Sequence, residues 1–146
     1  METDVAILGE WIATFSGRRI TPLDPDPADI YLEDVAHALS NVCRFTGHTK
    51  KFYSVAEHSV RVSEYVGDEN ALTGLLHDAS EAYLVDIPSP LKKLPEFEAY
   101  REAEERLMKV ICDVYGLPHG EPPEVKYVDK RMLSTEARDL TMSQGR

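Results

Sequence analysis

The stretch Leu75-Leu76-His77-Asp78-Ala79-Ser80-Glu81 decides how this chain reads. With Leu72 before it and Tyr83 after it, the apolar residues recur at helical spacing and predict a single helix from Ala71 to about Val85. Pro88 and Pro90 end it, because proline cannot continue a helix. His77 and Glu81 are four residues apart and share a face, while Asp78 is rotated by about 100 degrees. One short segment thus aims an imidazole and two carboxylates at a common cavity. A lone ionised carboxylate in an apolar interior is prohibitively costly, so Asp78 must be paired, protonated or bound to a metal.

Working outward, a helix from about Ser54 to Val66 carries Val55, His58, Val62 and Val66 on one stripe, with a capping-box spacing at Ser54 and Glu57. A last helix spans roughly Pro122 to Leu140, and Asp129 shares the apolar face of Val125 and Met132. His58, His77, Asp78 and Asp129 therefore form a candidate metal centre of two imidazoles and two carboxylates. That donor set accepts Zn, Mn, Co, Fe or Ni, because ligand type selects only loosely. Such a centre polarises a phosphoryl oxygen and lowers the pKa of a water. Glu81 is placed to accept that water's proton.

Elsewhere, Trp11 to Thr21 alternates and turns at Ser16-Gly17, which predicts a small hairpin at about 10–22. Asp29 is expected to cap a helix carrying Ile30, Leu32, Val35, Ala36, Leu39 and Val42. Thr46 to Tyr53 reads as a loop. A helix from about Glu96 to Tyr115 is expected to turn Phe97, Tyr100, Leu107, Ile111 and Val114 inward. The fold class is mainly α, a compact helical bundle with a minor hairpin, in one domain covering 1–146.

The formal net charge of −10 argues against broad nucleic-acid binding, which needs Lys and Arg to neutralise phosphates. It does not exclude a small phosphorylated substrate, for which Arg18-Arg19, Lys50-Lys51 and Lys92-Lys93 offer local positive charge. No run approaches a membrane span and no signal peptide opens the chain. Cys43 and Cys112 form no metal or redox motif, consistent with a cytoplasmic protein. His37 and His119 read as hydrogen-bonded or surface residues, and Glu136 as a salt-bridge partner. His48, near Arg44 in sequence, is a candidate to face a phosphate. Ser59 and Ser80 lack the strand-turn-helix elbow of a serine hydrolase.

On Tyr53-Ser54-Val55-Ala56-Glu57-His58-Ser59, Leu76-His77-Asp78-Ala79-Ser80-Glu81 and Asp86-Ile87-Pro88-Ser89-Pro90-Leu91-Lys92, the chain resembles the HD-domain metal-dependent phosphohydrolases. Within them it is similar to bacterial 5′-deoxynucleotidases and the short dATP triphosphohydrolases of bacteriophages, over roughly Arg44 to Leu140. The resemblance implies metal ligands at His58, His77, Asp78 and Asp129, with Glu81 activating the water and Asp78 also counted in the catalytic set. It implies that Arg44 holds a phosphate and that Phe45 packs beside the sugar. It also implies that Asp86 accepts a sugar hydroxyl and that Lys92 meets a phosphate. Lys126, close to Asp129 in sequence, is a further candidate for phosphate. Relatives often carry Trp where this chain has Phe45, which loosens the expected selection of base and sugar.

The hairpin and Gly47-His48 also resemble a widespread phosphohydrolase subgroup whose chains continue past the position of Gln144-Gly145-Arg146. The chain is therefore expected to be short at its C terminus.

The resemblance further implies one divalent transition metal ion, an additional Mg with a polyphosphate substrate, a nucleotide as partner, and a dimer or hexamer. The cell would be bacterial, or a phage host. The expected activity is removal of phosphate or polyphosphate from 5′-deoxynucleotides. Two alternatives are another phosphate ester such as guanosine tetraphosphate and a catalytically silent nucleotide-binding module. Hydrolases of guanosine tetraphosphate carry adjacent Glu-Asp after the His-Asp pair, whereas Glu81 is followed here by Ala82. The cyclic-dinucleotide branch has a Gly-Tyr-Pro signature that this sequence lacks. A silent module would be expected to have lost a ligand or Glu81, and none is lost.

Overall fold

The structure is a computed structural model and describes residues 9–142. Positions 1–8 and the expected early C terminus at Gln144-Gly145-Arg146 lie outside the described residues. The fold is mainly α with one small antiparallel hairpin. Strands β1 (Ile12–Ala13) and β2 (Arg19–Ile20) pair with Ile12 opposite Ile20. Gly17 turns the hairpin at φ +88, a left-handed conformation that favours glycine. Ile20 is fully buried and anchors the hairpin to the helices. Asp34 fixes it from the other side: its carboxylate accepts from the Ser16 backbone N–H at 2.7 Å and the Ser16 hydroxyl at 2.8 Å.

Helix α1 (Leu32–Asn41) starts later than Asp29. Pro27–Asp29 instead forms a 3-10 turn whose cap is Asp26, accepting from the Ala28 N–H, and Ile30 is extended. Helix α2 (Val55–Tyr65) begins where the sequence predicts, with the Ser54 side chain accepting from the Glu57 N–H at 3.0 Å. The capping box is only half made, because the Glu57 carboxylate turns to Arg61 one turn on, at 2.9 Å.

The helix expected from Ala71 to Val85 is two helices, α3 (Ala71–Leu76) and α4 (Glu81–Leu84), separated by a tight turn at 77–80. Backbone bonds from Ala79, Glu81 and Ala82 to Leu76, Asp78 and Ala79 all span three residues, the 3-10 spacing. The His77 ring takes part: its Nδ1 lies 2.6 Å from the Gly74 carbonyl, one of the last carbonyls of α3. Gly74 also lets α3 lie close against α2, since a Cβ there would sit 3.4 Å from the Ser63 Cα.

Short α5 (Ser89–Lys92) leads through a 3-10 turn at Pro95–Phe97 into α6 (Glu98–Tyr115), capped by left-handed Gly116. Helix α6 buries Leu107 and Ile111 as expected, whereas Val114 in its last turn is exposed. Helix α7 (Pro123–Leu140) closes the fold against α2. Glu124 near its start accepts from the Gly67 N–H at 2.7 Å and the Asn70 amide at 2.6 Å, tying α7 to the α2–α3 connection.

Two apolar clusters result. One gathers Ile20, Val35, Leu39, Val55, Leu76, Leu107 and Ile111; the other gathers Val62, Val66, Val125 and Val128. Helix α2 contributes to both, and His58 lies on it between Val55 and Val62. Among the described residues no helix is long and apolar enough to cross a membrane.

Candidate metal centre

Three elements bring His58, His77, Asp78 and Asp129 together, with one donor atom from each lying within 4.8 Å of all the others. His58 comes from the buried stripe of α2, His77 and Asp78 from the tight turn after α3, and Asp129 from α7. His58 Nε2 lies 2.8 Å from an Asp129 oxygen and 3.8 Å from an Asp78 oxygen. His77 Nε2 lies 3.1 Å from Asp78 and 3.3 Å from Asp129. Donors about 2.0–2.2 Å from a shared divalent ion stand about 3–4 Å from one another. The two imidazoles are buried, while the Asp78 and Asp129 side chains keep 27% and 36% exposure, so the centre is reachable.

The hydrogen-bond chemistry of these donors suits a proton or a metal ion between them. The Gly74 carbonyl can only accept, so His77 must hold its Nδ1 proton toward it. Its Nε2 then points at two carboxylates as a bare lone pair unless a second positive charge is present. His58 is held in the same sense, with Nδ1 2.8 Å from a Glu136 oxygen. Both rings thus offer Nε2 to the centre, each oriented by a partner behind it.

Within the polypeptide itself, protons meet part of this demand. Burial alone would lower the pKa of His77, but hydrogen bonds to Asp129 and then Asp78 push it up to about 11. Burial would raise Asp129, yet its bonds to His58 and His77 hold it well below the usual carboxylate range. A divalent ion can replace those protons, and the residues present fit it.

Glu136, expected from the sequence to be a salt-bridge partner, does more than that. It is 3% exposed and accepts three bonds, from Arg44 at 2.9 Å, from the His58 ring, and a short one from the Tyr53 hydroxyl. It lies on the α7 stripe of Met132 and Leu140. Its partners, 78 to 92 residues away in sequence, carried no local signal.

The centre opens into a cleft of ≈ 680 Å³, within the usual size of a small-ligand site. Arg44, Phe45, Glu81, Asp86 and Lys92 all line it, and so does His48. Lys126 does not. It precedes Asp129 by three residues and is turned about 60 degrees from it around α7, into solvent. Lys92 is already paired with Glu104 at 2.6 Å. Arg44 donates one N–H to Glu136, and its Nε is buried without a partner.

Glu81 is buried, and its Oε2 has no hydrogen-bond partner. Burial first, then the charges of Asp78 and Asp86, push its pKa up to about 11. Glu121, which the sequence reading did not single out, also lines the cleft, and burial raises its pKa too.

Backbone strain falls on two cleft-lining residues and on the residue before a third, Asp86. Phe45, Thr46 and Val85 are the non-glycine residues with positive φ, at 55, 53 and 59 degrees, among the described residues. Such residues cost of order 1–3 kcal/mol each and persist where surrounding structure holds them. The loop at 44–53 is held by the Cys43–Ser54 bridge at its neck, by the Arg44 N–H to Tyr53 carbonyl bond, and by the Lys50 N–H on the Leu140 carbonyl. Val85 turns the chain so that Asp86 lines the cleft.

Comparison with protein-family models gives no match. Over 135 residues the chain is 47% identical to the uncharacterized protein YfdR of Escherichia coli strain K12, covering 92% of this chain and 75% of that protein. Over 137 residues it is 39% identical to the uncharacterized protein RCAP_rcc00048 of Rhodobacter capsulatus, covering 88% of this chain and 69% of that protein.

Proposed function

This chain belongs to the same family as YfdR and RCAP_rcc00048, and we propose that it is a metal-dependent phosphohydrolase of the HD-domain kind, acting on 5′-deoxynucleotides. One observation carries the reading. Two imidazoles and two carboxylates converge, and three of the four (His77, Asp78 and Asp129) line an open cleft together with Arg44 and the buried Glu81. A divalent ion held by His58, His77, Asp78 and Asp129 would supply the charge that polarises a phosphoryl oxygen and acidifies a water.

The chain's own groups do the rest. Arg44, anchored by one corner to Glu136, keeps further N–H groups for phosphate oxygens. Glu81 accepts the proton of the attacking water; to ionise, it needs its burial and the negative charges of Asp78 and Asp86 offset by a nearby cation. Phe45 packs against the sugar and leaves no partner for a 2′-hydroxyl, while Asp86 accepts from the 3′-hydroxyl.

Charge separates the monophosphate from the triphosphate. Asp78, Asp86, Glu104 and Asp129 line the cleft against Arg44 and Lys92, both already ion-paired, and Glu81 adds a further negative charge once it ionises. Like charges repel more strongly where water is scarce. A nucleoside monophosphate is therefore the favoured substrate, and a triphosphate would need additional Mg²⁺.

The test is a panel of ribo- and deoxynucleoside mono-, di- and triphosphates with Mn²⁺, Co²⁺, Zn²⁺, Ni²⁺ or Fe²⁺. Released phosphate, pyrophosphate and triphosphate are scored. Phosphate from deoxynucleoside monophosphates is the expected product. No release from any nucleotide with any metal would overturn the reading.

A further inference from the structure

We infer that Glu136 is a positioning residue that makes the metal centre and the phosphate-binding arginine depend on one buried carboxylate. The inference rests on the function proposed above and adds a requirement to it. Glu136 is buried and does not line the cleft. It accepts from Arg44 through Oε1, and from Tyr53 and His58 through Oε2. An ionised carboxylate is acceptor-only, and it suits a position where every neighbour offers an N–H or O–H.

A glutamine in this position cannot serve all three donors, and the way it fails is diagnostic. If its carbonyl takes the Oε2 position, His58 and Tyr53 are kept, but the amide N–H₂ faces the Arg44 guanidinium, donor against donor. Arg44 then loses its anchor. If its carbonyl takes the Oε1 position, Arg44 is kept, but the amide faces His58 Nδ1. That nitrogen must then accept, which moves the ring proton to Nε2 and removes the lone pair offered to the ion. A buried glutamate is thus the side chain that keeps both the His58 tautomer and the arginine in place. Partners behind a metal-ligating histidine change metal affinity by about 10–100-fold when altered.

The experiment titrates full-length Glu136→Gln and parent protein, both stripped with chelator, with Co²⁺ alone. A second titration follows inorganic phosphate binding to the Co²⁺-loaded proteins. Circular dichroism and thermal melting of the stripped forms report folding separately. The expected result is a loss of about 10–100-fold in Co²⁺ affinity, in phosphate affinity, or in both. Unchanged values of both, even with a lowered Tm, would overturn the positioning role and leave Glu136 a structural residue.

If Glu136→Gln does not fold, Glu136→Asp keeps the charge but draws the carboxylate back by one methylene. It is read by the same two titrations against the same two outcomes. Failure of the parent itself to bind Co²⁺ would instead overturn the metal-dependent function on which the inference rests.

Discussion

Asp129 and Glu136 stand seven residues apart on α7 and hold the two opposite ring nitrogens of His58, each at 2.8 Å. Seven residues are close to two helical turns, so both carboxylates leave the same face of the helix, about 10 Å apart along its axis. A single helix thus fixes where the imidazole sits and which nitrogen it offers. The arrangement also explains why α7 must be seated accurately against α2, a task shared by Val125, Val128 and the Glu124 bonds to Gly67 and Asn70.

Asp129→Ala should lose metal and activity together, because it removes the carboxylate that meets both histidines. Elemental analysis of the purified variant checks this. Full occupancy would remove Asp129 from the ligand set.

Metal removal should lower the melting temperature. An ion that binds only the folded state adds about 2.7 kcal/mol when its free concentration is 100 times its Kd. Scanning calorimetry with and without chelator should show a difference that grows with added Mn²⁺ or Co²⁺ and vanishes in His77→Ala.

Glu81→Gln should retain the ion and bind nucleotide while turnover falls by about 10²–10⁴. The same variant reports on pH. Burial, then the charges of Asp78 and Asp86, pushes the Glu81 carboxyl of the folded protein up to about 11, against 4.5 ordinarily. Below 4.5 both folded and unfolded chains hold the proton, and nothing is lost. Above it the unfolded chain ionises while the folded one does not, so stability falls as pH rises toward 11. The Tm of metal-stripped Glu81→Gln relative to the parent should therefore climb between pH 5 and 9. A flat difference would show that Glu81 ionises normally.

Phe45 lines the cleft on a strained left-handed backbone. If it faces the sugar, kcat/KM for a deoxynucleotide should exceed that for its ribonucleotide, and Phe45→Ala should narrow the gap. Asp86→Ala should weaken both sugars alike. Equal kcat/KM for the two sugars in the parent would refute this placement.

Asp34→Ala should destabilise the fold without touching the metal centre. Asp34 is buried and gives the Ser16 N–H and hydroxyl their charged acceptor. Loss of about 2 kcal/mol is expected, a drop of roughly 6 °C in Tm. Co²⁺ affinity should match the parent.

Local chemistry made much of this protein legible in its sequence. Helical spacing announced α2, α6 and α7, and Ser54 announced the start of α2, because capping and periodicity act within a few residues. His58, His77, Asp78 and Asp129 stood out because imidazoles and carboxylates are costly on apolar helix faces. The tertiary structure decided what depended on distant partners. The single helix expected over 71–85 became two, separated by a turn of 3-10 bonds where His77 Nδ1 meets the Gly74 carbonyl. Lys126 is exposed on α7 and lies outside the cleft, which only the seating of that helix decides. Glu136 looked like one more salt-bridging carboxylate. Only packing α7 against α2 and the loop before it brought Arg44, Tyr53 and His58 to a single buried carboxylate.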